Sequence, residues 1–101
     1  MKEHESAVSL KEESRIFVAE GQELKVEYRL LLGPNPSQEL PFYGVEVRNA
    51  DTGERFYCDD LTVDFASVLA LFEEMCRGAV TPVTAGDVVS DWLSERDTVK
   101  R

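Results

Sequence analysis

From Tyr43 to Leu93 the chain reads as a hairpin, a capped amphipathic helix, a proline turn and a second helix, and no other stretch restricts the fold as much. Tyr43-Gly44-Val45-Glu46-Val47-Arg48-Asn49 alternates apolar with polar residues, Asp51-Thr52-Gly53 supplies a turn, and Arg55-Phe56-Tyr57-Cys58 alternates back. Side chains on a strand point to opposite faces in turn. Tyr43, Val45 and Val47 therefore share a face, with Phe56 and Cys58 opposite them across the ladder. Ala50 to Gly53 is left as the loop, and Gly53 provides the positive φ that closes such turns. This register sets Arg48 beside Arg55. An exposed like-charge pair costs roughly a few tenths of a kcal/mol, whereas burying the apolar set stabilises by several, so the apolar register prevails.

Thr62 or Asp64 then caps a helix. Phe65, Val68, Leu69, Phe72, Met75 and Cys76 recur at helical spacing, with Ser67, Ala70, Glu74 and Arg77 on the other side. Arg77 in the last turn and Gly78 beyond it are stop signals. Thr81 followed by Pro82 opens a second helix; alternatively Thr84 caps it, with Asp87 completing a capping box. Val88, Val89, Trp92 and Leu93 form its apolar face, while Asp87, Ser90 and Asp91 face water.

Upstream, Arg15-Ile16-Phe17-Val18-Ala19 is β-branched and aromatic, hence a strand, and Gly21-Gln22 makes a turn. Leu24, Val26, Tyr28 and Leu30 then alternate with Lys25, Glu27 and Arg29, which gives one buried face and one wet face. Gly33 to Pro41 holds three prolines, which exclude a helix or central strand; it reads as a crossover between two hairpins. The expected fold is α+β: an antiparallel four-stranded meander of two hairpins with two C-terminal helices packed on one face, in the order β-β-β-β-α-α. Residues 1–14 are expected to be weakly ordered, with a short strand or frayed helix there as the alternative, 15–95 to form a single domain, and 96–101 to be a polar tail. At 101 residues the chain has the length of one domain.

The net charge is −9, from 20 acidic and 11 basic residues. Residues 59–97 hold nine acids against Arg77 and Arg96 and so carry −7. That field repels a phosphate backbone and an anionic membrane, and it favours basic proteins. Neither nucleic acid nor membrane is an expected partner. The charged N-terminus leads into no apolar segment, so no signal peptide is read there, and no apolar run approaches membrane-spanning length. The expected compartment is the cytoplasm. Cys58 and Cys76 lack metal or disulfide-framework spacing and read as small buried thiols.

Catalytic patterns are weak throughout. Asp59, Asp60 and Asp64 cluster where a strand gives way to a helix, and carboxylates in such places can hold Mg²⁺ or Ca²⁺. Acids before a helix are also favoured by its dipole, and the calcium-loop spacing is absent, so capping is the preferred reading. His4, the lone histidine, sits in the N-terminal segment. Glu73 and Glu74 would raise the pKa of Cys76 rather than activate it. No catalytic residue, metal site or cofactor is assigned. Interaction is the remaining class. Phe42, Tyr57 and Trp92 are the candidate partner-binding residues, and the first two strands offer a free edge to a partner or a second copy. The expected function is a non-enzymatic protein-interaction or regulatory module able to self-associate. The alternatives are a metal-assisted enzyme using Asp59, Asp60 and Asp64, and an acidic decoy for a basic protein surface.

Tyr43-Gly44-Val45-Glu46-Val47, with Thr81-Pro82 and Asp87-Val88-Val89-Ser90-Asp91-Trp92-Leu93, resembles a small family of uncharacterised proteins of Gram-positive anaerobes. They are chains of similar length, catalogued as a domain of unknown function. The resemblance implies a bacterial cytosolic protein and carries no functional residues with it.

Overall fold

The computed structural model describes residues 7–33 and 41–100, apart from the side chains of Ala19 and of residues 96–100. Four strands, β1 (Val8–Ala19), β2 (Gln22–Leu32), β3 (Tyr43–Asn49) and β4 (Arg55–Thr62), precede two helices, α1 (Phe65–Arg77) and α2 (Pro82–Lys100). The strands form one antiparallel sheet in the order β1-β2-β3-β4, the meander that the alternation requires. Most of the Gly33–Pro41 segment lies outside the described residues.

One core joins sheet and helices. Val26, Tyr28 and Leu30 of β2 and Val45 and Val47 of β3 are buried against Val68, Leu71, Phe72, Met75 and Cys76 of α1 and Ala85 and Val89 of α2. Each fully buried apolar side chain of this kind stabilises by roughly 1.5–3 kcal/mol. The α1 stripe is rotated from the expected one. Leu71 is inside, Leu69 is half-buried, and Phe65 is 42% exposed with its ring edge-on to Tyr43 at 5.3 Å. In α2 the buried positions are Ala85 and Val89, with Val88 and Trp92 half-buried and Leu93 exposed.

Polar contacts fix the helices to the sheet. The Tyr28 hydroxyl of β2 donates to the Val80 carbonyl in the α1–α2 turn at 2.8 Å. Arg15 Nη1 of β1 donates to the Cys76 carbonyl at 2.6 Å, which satisfies a C-terminal carbonyl of α1 and sets a cation at the negative end of its dipole. Lys11 of β1 lies 3.8 Å from Glu73 and 5.9 Å from the Phe72 ring centroid. At the start of α2 the Thr81 N–H donates to Thr84 Oγ1 at 3.2 Å, so Thr81 is the cap and Pro82 the first helical residue. At the start of α1, Asp64 is the cap residue; its side chain accepts from the Ser67 hydroxyl, not from a helix N–H.

Two boundaries differ from the sequence reading. β1 starts at Val8, so residues 8–14, expected to be weakly ordered, are strand. Their charges hid it: a strand at a sheet margin has less apolar surface to bury than an internal one. α2 continues to Lys100, through most of the expected polar tail. The first turn is Glu20-Gly21, both at positive φ (53° and 79°), with Ala19 paired to Gln22. The Gly21-Gln22 reading is therefore one residue late. The second turn is as read: Val45 pairs with Cys58, Val47 with Phe56 and Arg48 with Arg55. Asn49 Oδ1 accepts the N–H groups of Asp51 and Thr52 at 2.8 and 3.1 Å, and Gly53 has φ 82°.

Candidate interaction surface

The sheet face away from the helices is crossed by an ion-pair network. Lys25, Glu27 and Arg29 point there, as their alternation with the buried set requires, and so do Glu46, Arg48, Arg55 and Tyr57. Glu46 is only 3% exposed because two arginines enclose it: Arg29 Nη1 reaches Oε1 at 2.8 Å and Arg55 Nη1 reaches Oε2 at 3.0 Å. Arg48 turns to Glu27 at 2.6 Å, and Arg29 lies 3.8 Å from Glu12. The expected Arg48–Arg55 repulsion is thus offset, each guanidinium having its own carboxylate. Arg55 also lies over the Tyr57 ring at 4.8 Å, and the Tyr57 hydroxyl donates to Asp59 Oδ2 at 3.2 Å. Burial and the neighbouring Asp59 carboxylate push the Tyr57 phenol above its ordinary pKa.

At the β4 margin the ladder is irregular. Tyr43 pairs with Thr62 and Val45 with Cys58, so the single residue Gly44 faces Asp59, Asp60 and Leu61. The bulged backbone passes directly over β3. A Cβ on Gly44 would lie 1.9 Å from the Cys58 carbonyl oxygen and 2.5 Å from the Asp59 Cα. One on Gly33 would lie 2.5 Å from the Asp59 carbonyl oxygen. Only glycine admits that approach. Leu31, paired with Gly44, is buried although it sits outside the main core.

The three aspartates do not converge. Asp59 accepts from Tyr57 on the open face, Asp60 lies 3.5 Å from the Cys58 thiol, and Asp64 caps α1. Among the described residues no group of three or more His, Cys, Asp or Glu is placed to hold a metal ion. His4 lies outside the described residues. Both cysteines are free thiols. Burial, with Glu13 nearby, pushes Cys76 up to about 11, so its reactive thiolate is scarce at neutral pH.

Nor do the three candidate aromatics share a surface. Tyr57 lies in the open-face network, whereas Trp92 packs from α2 against the core on the opposite side of the sheet. Phe42 is half-buried, and its carbonyl accepts the Gly33 N–H at 2.7 Å. What the aromatics do not explain is at β1. Its residues facing the helices are Lys11, Glu13, Arg15 and Phe17, in register with Leu30, Tyr28, Val26 and Leu24. Ile16 and Val18 point the other way and are 62% and 70% exposed. On this strand the apolar–polar order is inverted relative to β2. The signal was in the sequence, because Ile16 and Val18 are out of phase with Phe17; without the register, Arg15 to Ala19 reads as uniformly apolar strand.

A four-stranded meander with both helices on one face and a charged outer face defines a two-layer α+β domain. The chain belongs to the family described as Family of unknown function (DUF6514), whose model matches residues 8–95. That match takes in β1 from its first residue, well beyond the Tyr43–Leu93 segment that carries the resemblance. No curated protein and no solved structure matches the chain. No helix among the described residues is long and apolar enough to cross a membrane.

Proposed function

We propose that the chain is a non-enzymatic protein-interaction or regulatory module of the bacterial cytoplasm, acting through the β1 margin of its sheet. The observation that carries this reading is the pair Ile16 and Val18. They are large apolar side chains, mostly exposed, on the outermost strand and outside the core. An edge strand with unpaired main-chain groups and apolar side chains beside them is a template for strand addition. The open-face ion pairs satisfy one another, and among the described residues the β1 margin keeps unmet pairing capacity. Affinity capture from the native host, with wild type and an Ile16→Asp/Val18→Asp variant, tests the reading. The double variant is expected to lose the captured partners; identical partner sets would end it.

A second reading, the acidic decoy, is favoured by the outer surface of the helices. Glu73, Glu74, Asp87, Asp91 and Glu95 are all exposed there, and Asp60 and Asp64 beside α1 are exposed too. Such a surface attracts basic proteins with an affinity that falls as salt rises. Binding that is indifferent to salt would remove this alternative.

A further inference from the structure

We propose that the occupant of the β1 edge is the β1 strand of a second copy, paired antiparallel about a two-fold axis through Ser14, so that two sheets join into one of eight strands. The proposal rests on the interaction reading above and names its partner. Main-chain geometry decides which groups are available. The Ala50 N–H donates to the Lys25 carbonyl at 2.9 Å, so Lys25 directs its main-chain groups toward β3. On an antiparallel strand, successive residues direct theirs to opposite sides. Val26 and Tyr28 therefore point theirs at β1, to their partners Arg15 and Glu13. Ser14, between those two, points its N–H and C=O out of the sheet, and so do Glu12 and Ile16. The two-residue Glu20-Gly21 turn independently requires the same phase, since it makes Ala19 and Gln22 a hydrogen-bonded pair.

Side chains then choose the register. With the axis at Ser14, Glu13 of each copy lies opposite Arg15 of the other, Glu12 opposite Ile16, and Lys11 opposite Phe17. Both ion pairs fall at non-hydrogen-bonded positions, where facing side chains are closest. Moving the axis to Glu12 or Glu13 sets a glutamate against itself, and Glu13 as centre also sets Lys11 against Arg15. Moving it to Arg15 sets that arginine against its copy. An axis at Ile16 gives no ion pair and shortens the overlap. Ser14 is the one centre with attraction and no like-charge contact. It yields about six main-chain hydrogen bonds between copies. On the open face it sets Ile16 beside Glu12 and Val18 beside Leu10 of the other copy, so that the two Ile16 side chains flank the central Ser14 pair. Lys11 to Ala19 has no register shift against β2; the irregularity between Ser9 and Lys11 lies outside the paired stretch.

Sedimentation across a concentration series, with three variants, tests this. Wild type is expected to dimerise. Ser14→Pro removes an N–H that β2 does not use, on an edge strand where proline is tolerated, and should raise the dissociation constant about thirtyfold. Ser14→Cys should form a disulfide between copies on mild oxidation. Hydrogen-bonded partners sit about 5.5 Å apart at Cα, inside the range a disulfide spans. Glu12→Cys mixed with Ile16→Cys should cross-link to each other far more than either does alone, which reads the register whether or not the proline variant folds. A wild type that stays monomeric throughout, a dimer untouched by Ser14→Pro, or self-linking of Glu12→Cys without the mixed product would each overturn the proposal. Host-lysate capture separates the two ideas. If wild type is monomeric yet loses a captured protein on Ser14→Pro, the edge reading stands and the second copy is wrong. If the captured set is unchanged, both fall.

Discussion

The two margins of the sheet are built in opposite ways. At β4 the ladder breaks at Asp59-Asp60-Leu61, the bulged backbone lies across Gly44 and Gly33, and α2 packs close by, with Gly86 beside the Phe56 ring. A further strand would find no regular row of main-chain groups there. At β1 the run from Lys11 to Ala19 is regular, its outer main-chain groups find no strand partner among the described residues, and its open-face side chains include Ile16 and Val18. Bulges and charges are the usual protections of an edge. This molecule breaks the β4 ladder within the strand, whereas on β1 the irregularity is confined to the start, between Ser9 and Lys11, and beyond it the helix-facing charges alternate in sign. Lys11, Glu13 and Arg15 place charge along this edge, and in the proposed pairing they would complement a copy of themselves.

The largest effect tests the closed margin. Gly44→Val sets a side chain where the Cys58 carbonyl oxygen already stands, 1.9 Å from an ideal Cβ. The β4 bulge must then open, and we expect a loss of at least about 3 kcal/mol, at the upper end of overpacking costs. Urea denaturation measures it. A loss below about 1 kcal/mol would mean that the bulge is not held down at this point.

Next comes the network that ties both margins together. Glu46→Ala removes the carboxylate shared by Arg29 from β2 and Arg55 from β4. Both arginines keep partial access to water, so the cost falls short of that of a stranded buried charge, and about 2 kcal/mol is expected. Arg55 should also lose order over Tyr57, visible as a change in tyrosine fluorescence.

Tyr28→Phe is smaller again. It leaves the Val80 carbonyl without its donor at about 1 kcal/mol, and it changes the response to alkali. Burial pushes Tyr28 up to about 12 from an ordinary 10.0, and Cys76 up to about 11 from 9.0. Both groups are neutral when protonated, so the folded state holds their protons more tightly than the unfolded chain does. Their contribution is complete below pH 9, and it is lost as pH climbs through 9 to 12, the interval between those ordinary and folded values. Tyr28→Phe should flatten the part of that loss above pH 10, the phenol's ordinary value. An unchanged alkaline profile would show that Tyr28 is not the group responsible.

How far the sequence could be read follows the same division. Local periodicity was sufficient for the second hairpin, down to the Arg48–Arg55 pairing, and for the order of elements. It failed where the deciding neighbour is remote in the chain. Gly44 reads as one more residue of an alternating strand until β4 is seen lying on it. Glu46 reads as wet until Arg29 and Arg55 close over it. Leu71 and Ala85 enter the core because of how α1 and α2 are rotated against the sheet, which their own spacing leaves open by about one residue either way. Residues 8–14 are polar and read as weakly ordered, with a short strand as the alternative, yet a margin strand is held by main-chain pairing on one side and needs few apolar residues. The aspartate cluster dissolved for a related reason: residues adjacent along β4 serve opposite faces.

The smallest effect on the isolated chain is the most direct probe of the open margin. Val18→Thr keeps the β-branched shape and strand propensity but replaces a methyl group by a hydroxyl at a position 70% exposed. If β1 were only the rim of a monomer, the substitution would be silent: stability within about 0.5 kcal/mol of wild type and unchanged association. A seam between two β1 strands requires the first half of that result and forbids the second. Stability measured at high dilution should stay within that margin. The association constant, however, should fall several-fold, because Val18 meets the exposed Leu10 of the other copy at each end of the joined stretch. Equal association constants for Val18→Thr and wild type would place the contact elsewhere and leave the exposed valine as an ordinary surface residue.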